Sequence, residues 1–219
     1  MVDFSHARRA MVDGQLRTND VTRSDILDVF SLIPRELFVD PSEQSIAYAD
    51  RAVLSIGGTA RKILSPMNLA RMIQATELKP VDTILDIAAG AGYSTAIMAG
   101  LGARVSLLEN NSMQCLAAKQ ILDRLDLQGV DIKEGDLTTG GAGNASYDII
   151  LINGRCEQVP HALFQRLKDG GRLVAVVGNS VASEIRVYTL NDSSIGEKRL
   201  MKASGPLLSE FKKAEIFVF

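Results

Sequence analysis

The chain has 219 residues, with 24 Lys and Arg against 26 Asp and Glu, and a net charge of −2. That length suits one domain with a full core and a small addition, and the balanced charge disfavours an extended phosphate-binding surface, which needs clustered cations. The first ten residues lack the apolar run of a secretory signal, and no stretch approaches the roughly 20 apolar residues that span a bilayer, so the expectation is a cytoplasmic protein without nucleic-acid or membrane partners.

The first 55 residues read as helical. Thr22-Arg-Ser-Asp25 resembles a capping box with Asp in place of Glu. Ile26, Leu27, Phe30 and Ile33 then recur at helical spacing until Pro34 ends the helix. Residues 52–56 fit a short strand and Gly57-Gly58 a turn. Ser65-Pro66 is a helix entry, since Ser caps and Pro suits the first helical position. That helix extends to about Leu78, with Ala70, Ile73 and Leu78 inward.

From residue 81, short apolar runs alternate with amphipathic stretches. Strands are expected at 83–87, 105–109, 130–133, 147–152 and 172–177, and helices at 94–101, 112–125 and 159–167. Residues 138–146 form a small-residue loop, Gly170-Gly171 a turn, and strands at 185–190 and 215–219 close the chain. The run at 147–152 is apolar enough to be buried on both faces, as in a parallel sheet. The prediction is an α/β fold: a Rossmann-like, doubly wound, mostly parallel sheet over 81–219, with an N-terminal helical extension over 1–80 packed on it. Cys115 falls in an apolar helical stretch and reads as core. Cys156, after a strand, reads as passive. Neither has the spacing of a zinc site or a disulfide framework.

The chemistry concentrates in Asp86-Ile-Ala-Ala-Gly-Ala-Gly-Tyr93, a strand end, a turn and a helix start. Gly90 and Gly92 permit a tight turn and close approach of backbone to a ligand. The dinucleotide fingerprint needs G-x-G-x-x-G, with phosphates on the helix N-terminus. Here Ala88 stands at the first glycine and Ser94 near the last. An acid at the strand end suits S-adenosylmethionine instead, which has no pyrophosphate but carries an ammonium and a sulfonium. Asp86 is expected to receive the ammonium. Glu109, followed by Asn110, ends the next strand, where a carboxylate accepts ribose hydroxyls. Asp136, followed by Leu137, is placed to accept from an adenine amino group. Asn153 ends the fourth strand and faces the same crevice. Tyr93 completes the expected cofactor set, and no metal ligands are expected.

Several segments together resemble the protein-L-isoaspartate O-methyltransferase family of class I S-adenosylmethionine-dependent methyltransferases: Ile33-Pro-Arg-Glu-Leu-Phe-Val39, Pro66-Met-Asn-Leu-Ala-Arg-Met72, Ile84 to Tyr93, Gly135-Asp136, Tyr147-Asp-Ile-Ile150, Val159-Pro160 and Gly170-Gly-Arg-Leu-Val174. The resemblance implies methyl transfer to the free carboxylate of isoaspartyl residues in damaged proteins or peptides. It also implies a serine that contacts that carboxylate, but aligning Pro66, Ala70 and Met72 puts Leu64 there, one place before Ser65. Ser65 is therefore the candidate catalytic residue if the loop shifts by one, and otherwise the helix cap, the favoured role. Arg155 is a further candidate for a substrate carboxylate, with a solvated loop position the favoured alternative. Residues 205–211 fit the family poorly. Two other readings stay open, a methyltransferase for another acceptor and a non-catalytic cofactor-binding module.

Overall fold

The computed structural model describes residues 3–127 and 129–213; the strand expected at 215–219 lies outside them. The N-terminal part opens with α1 (Phe4–Met11), capped by Asp3 and running into a wide turn, Val12–Leu16. α2 (Ser24–Leu32) follows and buries Ile26, Leu27, Val29 and Phe30. It stops at Ile33, whose extended backbone is what a following proline demands. The capping box expected at Thr22 does not form. The amides of Thr22 and Arg23 donate instead to Gln74 Oε1, at 2.8 and 3.2 Å, so a tertiary acceptor replaces the local one.

Two short strands, β1 (Val53–Leu54) and β2 (Lys62–Ile63), pair antiparallel around the glycine turn. β1 lies within the strand expected at 52–56, whereas β2, two residues long, is too short to show a period. α3 (Pro66–Ala75) starts on Ser65 as expected and ends three residues before Leu78.

The central sheet holds β3 (Thr83–Ile87), β4 (Arg104–Glu109), β5 (Val130–Glu134), β6 (Tyr147–Cys156), β7 (Leu167–Gly178), β8 (Ser183–Asn191) and β9 (Ser194–Lys202), in the order β5-β4-β3-β6-β7-β8-β9. The first five in that order pair parallel; β8 and β9 are antiparallel to their neighbours. Helices α4 (Tyr93–Gly100), α5 (Ser112–Arg124) and α6 (His161–Phe164) supply connections. β9 was not expected: its residues are largely exposed and carry no clear alternation. The helix foreseen over 159–167 shrinks to four residues because Leu167 already enters β7.

Alternate residues of each strand serve opposite faces. Ile84, Val105, Leu107, Ile149, Leu151, Val174 and Val176 join one core with α2, α3, α4 and the N-terminal residues. Leu85, Ile87, Leu108, Ile150, Ile152, Leu173 and Ala175 join a second core, capped by Leu137, Leu163, Leu208 and Phe211. The chain winds outward from β3 in both directions, so the order reverses between β3 and β6. In open sheets of this kind the ligand crevice lies beyond the strand ends at that reversal.

Candidate cofactor and acceptor site

The loop from Asp86 to Tyr93 connects β3 to α4. Ala88, Gly90 and Gly92 have φ of 58°, 59° and 93°. Glycine adopts this left-handed backbone freely, whereas an alanine there costs about 1–2 kcal/mol. The loop is held from outside. Ser55 Oγ, beyond β1, accepts from Ala91 N at 2.9 Å and donates to the buried Gln114 Oε1 at 2.9 Å. The amides of Ala88 and Gly90 are also spent, on Leu108 O and Glu109 Oε1.

Asp86 is fully buried beneath the first turn of α4. Its carboxylate accepts from Thr95 Oγ1 at 2.6 Å, Ser94 Oγ at 2.7 Å and Asn153 Nδ2 at 2.6 Å. Burial pushes it up to about 6, with the Glu109 charge adding to the rise and the three hydrogen bonds opposing it. Because the folded value exceeds the ordinary 3.8, the folded chain holds this proton more tightly than the unfolded chain between those two values. Stability from this group is thus greatest at low pH and falls as pH rises through about 4 to 6. Wild type should therefore gain on an Asp86→Asn variant as pH falls from 7 to 4, by up to about 3 kcal/mol. Parallel stability–pH curves from denaturant titration would exclude the shift.

Glu109, at the end of β4, is also fully buried. Arg61, just before β2, binds it through Nε at 2.9 Å and Nη2 at 3.0 Å. The same guanidinium reaches Asn110 Oδ1 at 3.1 Å and Glu210 Oε1 at 3.7 Å. Asp136 is exposed after β5, with Oδ1 accepting from the amide and hydroxyl of Thr138, which hold its pKa down. Leu137 is buried in the second core.

Asp86, Ala88, Gly90, Gly92, Glu109, Asn110, Asp136 and Asn153 thus gather at the carboxyl ends of β3 to β6. The Tyr93 side chain does not join them. It is fully buried against Phe30 and Phe38, with the Arg35 guanidinium 4.8 Å from its ring centre. Ser65 Oγ takes the cap role, accepting from Asn68 N at 3.4 Å, while it also lines a cleft of about 390 Å³ with Asp50, Asn68, Lys202 and Gly205. Leu64 is buried and lies 3.2 Å from where a Cβ on Gly205 would sit. Arg155 is not a solvated loop residue: it is buried in β6 and donates to Gly178 O at 3.0 Å. Cys156 is buried, which pushes its thiol up to about 12 and keeps it protonated. Cys115 is only partly buried, short of the core position expected for it.

Residues 205–211 cross the end of β6. Arg155 N donates to Pro206 O at 2.7 Å, Leu208 N to Arg155 O at 3.0 Å, and Asn110 Nδ2 to Glu210 Oε1 at 2.6 Å. A Cβ on Gly154 would sit 2.6 Å from Leu208, so the glycine after Asn153 admits this crossing. Sequence reasoning did not single out Ser55, Arg61, Gln114 or Glu210. Each is an isolated polar residue whose partner lies tens of residues away. Ser94 and Thr95 had a legible signal, two hydroxyls on the helix turn directly after the loop.

A doubly wound, mostly parallel sheet with a wound glycine loop after β3 and an acid closing β4 is a class I methyltransferase fold. The sequence model for protein-L-isoaspartate(D-aspartate) O-methyltransferase matches residues 6–204. A protein-L-isoaspartate O-methyltransferase from Trichlorobacter lovleyi is 38% identical over 199 residues, covering 90% of this chain and 91% of that one. Its counterpart from Syntrophus aciditrophicus is 35% identical over 202 residues, covering 92% of each. The chain belongs to the protein-L-isoaspartate(D-aspartate) O-methyltransferase family. The fold agrees with a Plasmodium falciparum structure solved with S-adenosyl-L-homocysteine, at a TM-score of 0.78 and 18% identity, covering 93% of this chain and 98% of that one. Among the described residues no helix is long and apolar enough to cross a membrane.

Proposed function

We propose that this chain transfers a methyl group from S-adenosylmethionine to the free carboxylate of isoaspartyl residues in damaged proteins or peptides. Membership of the family over residues 6–204 carries the reading. The crevice supports the cofactor. Two buried carboxylates, Asp86 and Glu109, stand at adjacent strand ends with Arg61 as a counter-ion to the second. A buried anion under the first turn of α4 disfavours a phosphate there, and suits a ligand bearing an ammonium and a sulfonium.

When bound, the cofactor supplies an electrophilic methyl on a sulfonium. Gly90 and Gly92 let the loop wind at positive φ, packed on Ser55 and on Leu107 and Leu122, with Ala88 and the Tyr93 backbone completing the segment assigned to the cofactor. Glu109 and Asn110 are assigned to the ribose edge, Asp136 and the backbone of Leu137, whose side chain is in the second core, to the adenine edge, and Asp86 with Asn153 to the amino-acid end. The acceptor needs no general base, since a carboxylate with a pKa near 4 is already ionised at neutral pH. The work left to the chain is alignment of oxygen, methyl and sulfur, a proximity effect. Ser65 is the candidate to orient the acceptor carboxylate, but its hydroxyl already caps α3.

Incubation with labelled S-adenosylmethionine and an isoaspartyl peptide should give a base-labile methyl ester, and the matched aspartyl peptide none. Equal labelling of the two would overturn the acceptor assignment. Leu64 favours one second reading, the same chemistry on another carboxylate acceptor. In that case S-adenosylhomocysteine would form with a cell extract but not with the peptide.

A further inference from the structure

Glu109 has no spare acceptor capacity. Oε1 takes Gly90 N at 2.7 Å and Arg61 Nε at 2.9 Å. Oε2 takes Arg61 Nη2 at 3.0 Å and Asn110 N at 3.2 Å. A carboxylate offers about four lone-pair sites, and these are all engaged. The reading above asks the same group to accept two ribose hydroxyls. Two of the present donors are backbone amides and cannot leave unless the loop moves. The other two belong to one long side chain, and that side chain already touches alternative acceptors, Asn110 Oδ1 at 3.1 Å and Glu210 Oε1 at 3.7 Å.

We propose that Arg61 sets the affinity of this chain for its cofactor: the guanidinium and the ribose diol contend for the same two oxygens of Glu109, and Glu210 is the acceptor that takes Arg61 when the diol takes Glu109. The inference rests on the cofactor reading. A bidentate, charge-assisted pair is roughly twice as strong as neutral hydrogen bonds, so hydroxyls that displace it exchange strong donors for weaker ones. Glu210 recovers only part of the difference, because it is more exposed than Glu109: their side chains are 25% and 0% accessible. The hand-over also joins the ribose edge to the acceptor side, since Glu210 belongs to the crossing segment whose Gly205 packs on Leu64.

Calorimetry with S-adenosylhomocysteine, adenosine and 2′,3′-dideoxyadenosine tests this on the intact chain. Arg61→Gln should bind the two diol-bearing ligands about tenfold tighter and dideoxyadenosine no tighter. Arg61→Lys should fall between. Glu210→Gln should weaken S-adenosylhomocysteine binding severalfold in wild type and leave it unchanged in the Arg61→Gln background. Without ligand, Arg61→Gln should melt lower, because Glu109 loses its counter-ion, while its ligand-induced rise in Tm is larger. Unchanged or weaker binding by Arg61→Gln, or an equal gain for dideoxyadenosine, overturns the proposal while leaving the cofactor reading intact. If neither wild type nor the variants bind any of the three ligands, the cofactor reading fails and the proposal fails with it.

Discussion

Gly90→Val is expected to raise the Kd for S-adenosylhomocysteine more than about a hundredfold, a loss of roughly 3 kcal/mol in binding. Gly90 has φ +59°, a region where a β-branched residue is a genuine outlier. A Cβ there would sit 2.7 Å from Ser55 Oγ, 3.2 Å from Ser55 Cβ and 3.3 Å from Arg61 Cγ. Those contacts belong to the groups that hold the site. Ser55 takes the Ala91 amide, Arg61 takes Glu109, and Gly90 N itself donates to Glu109. One side chain thus disturbs three supports together. Gly58→Val separates the close approach from backbone strain alone, because Gly58 also has positive φ but meets nothing within 4 Å. It should lose stability and keep affinity. Calorimetry reads the affinities and thermal unfolding the stabilities. Undiminished binding by Gly90→Val would count against the loop as the cofactor site.

Arg35→Ala should cost about 4 kcal/mol of folding stability, a fall in Tm of roughly 8–16 °C for a chain of this size. Arg35 is fully buried, and no salt bridge reaches it among the described residues. Its Nε donates to Ala47 O at 2.7 Å and its Nη2 to Leu64 O at 2.8 Å. Burial lowers its pKa, which the nearby phenols of Tyr93 and Tyr48 oppose. Removing the side chain leaves two carbonyls without donors, at about 1–3 kcal/mol each, and opens a cavity beside Tyr93. Arg35→Met fills much of the space but restores neither donor, so it should recover only part of the loss. A fall in Tm below about 2 °C would show that the carbonyls are satisfied another way.

Much of this molecule was legible in the order of its residues. The strands at 83–87, 105–109, 130–133 and 172–177 fall inside or match the observed ones, because a strand buried on one or both faces must repeat its apolar residues at period two or without a break. The glycine loop and the acids at the ends of β3 and β4 were legible for a related reason. Tight turns require residue types that tolerate positive φ, and both acids follow directly on apolar runs. Ser65 as a cap followed from the proline after it.

What the sequence could not give is which groups those acids meet. Tyr93 adjoins Gly92 in sequence, yet helix geometry turns its ring into the core, against Phe30, Phe38 and Arg35. Glu109 sits at a strand end as expected, but Arg61, 48 residues earlier, occupies both of its oxygens. The segment at 205–211 fits the family poorly, and it reaches the crevice because β8 and β9 fold back and Gly154 leaves room for Leu208. Local steric and periodic rules write themselves into neighbouring residues, so the sequence by itself determined the parallel part of the sheet, the loop and the family. Pairings between distant polar side chains leave no periodic trace, and only the tertiary structure decided that the two buried acids are already partnered, that Leu64 is buried and that the Ser65 hydroxyl caps α3.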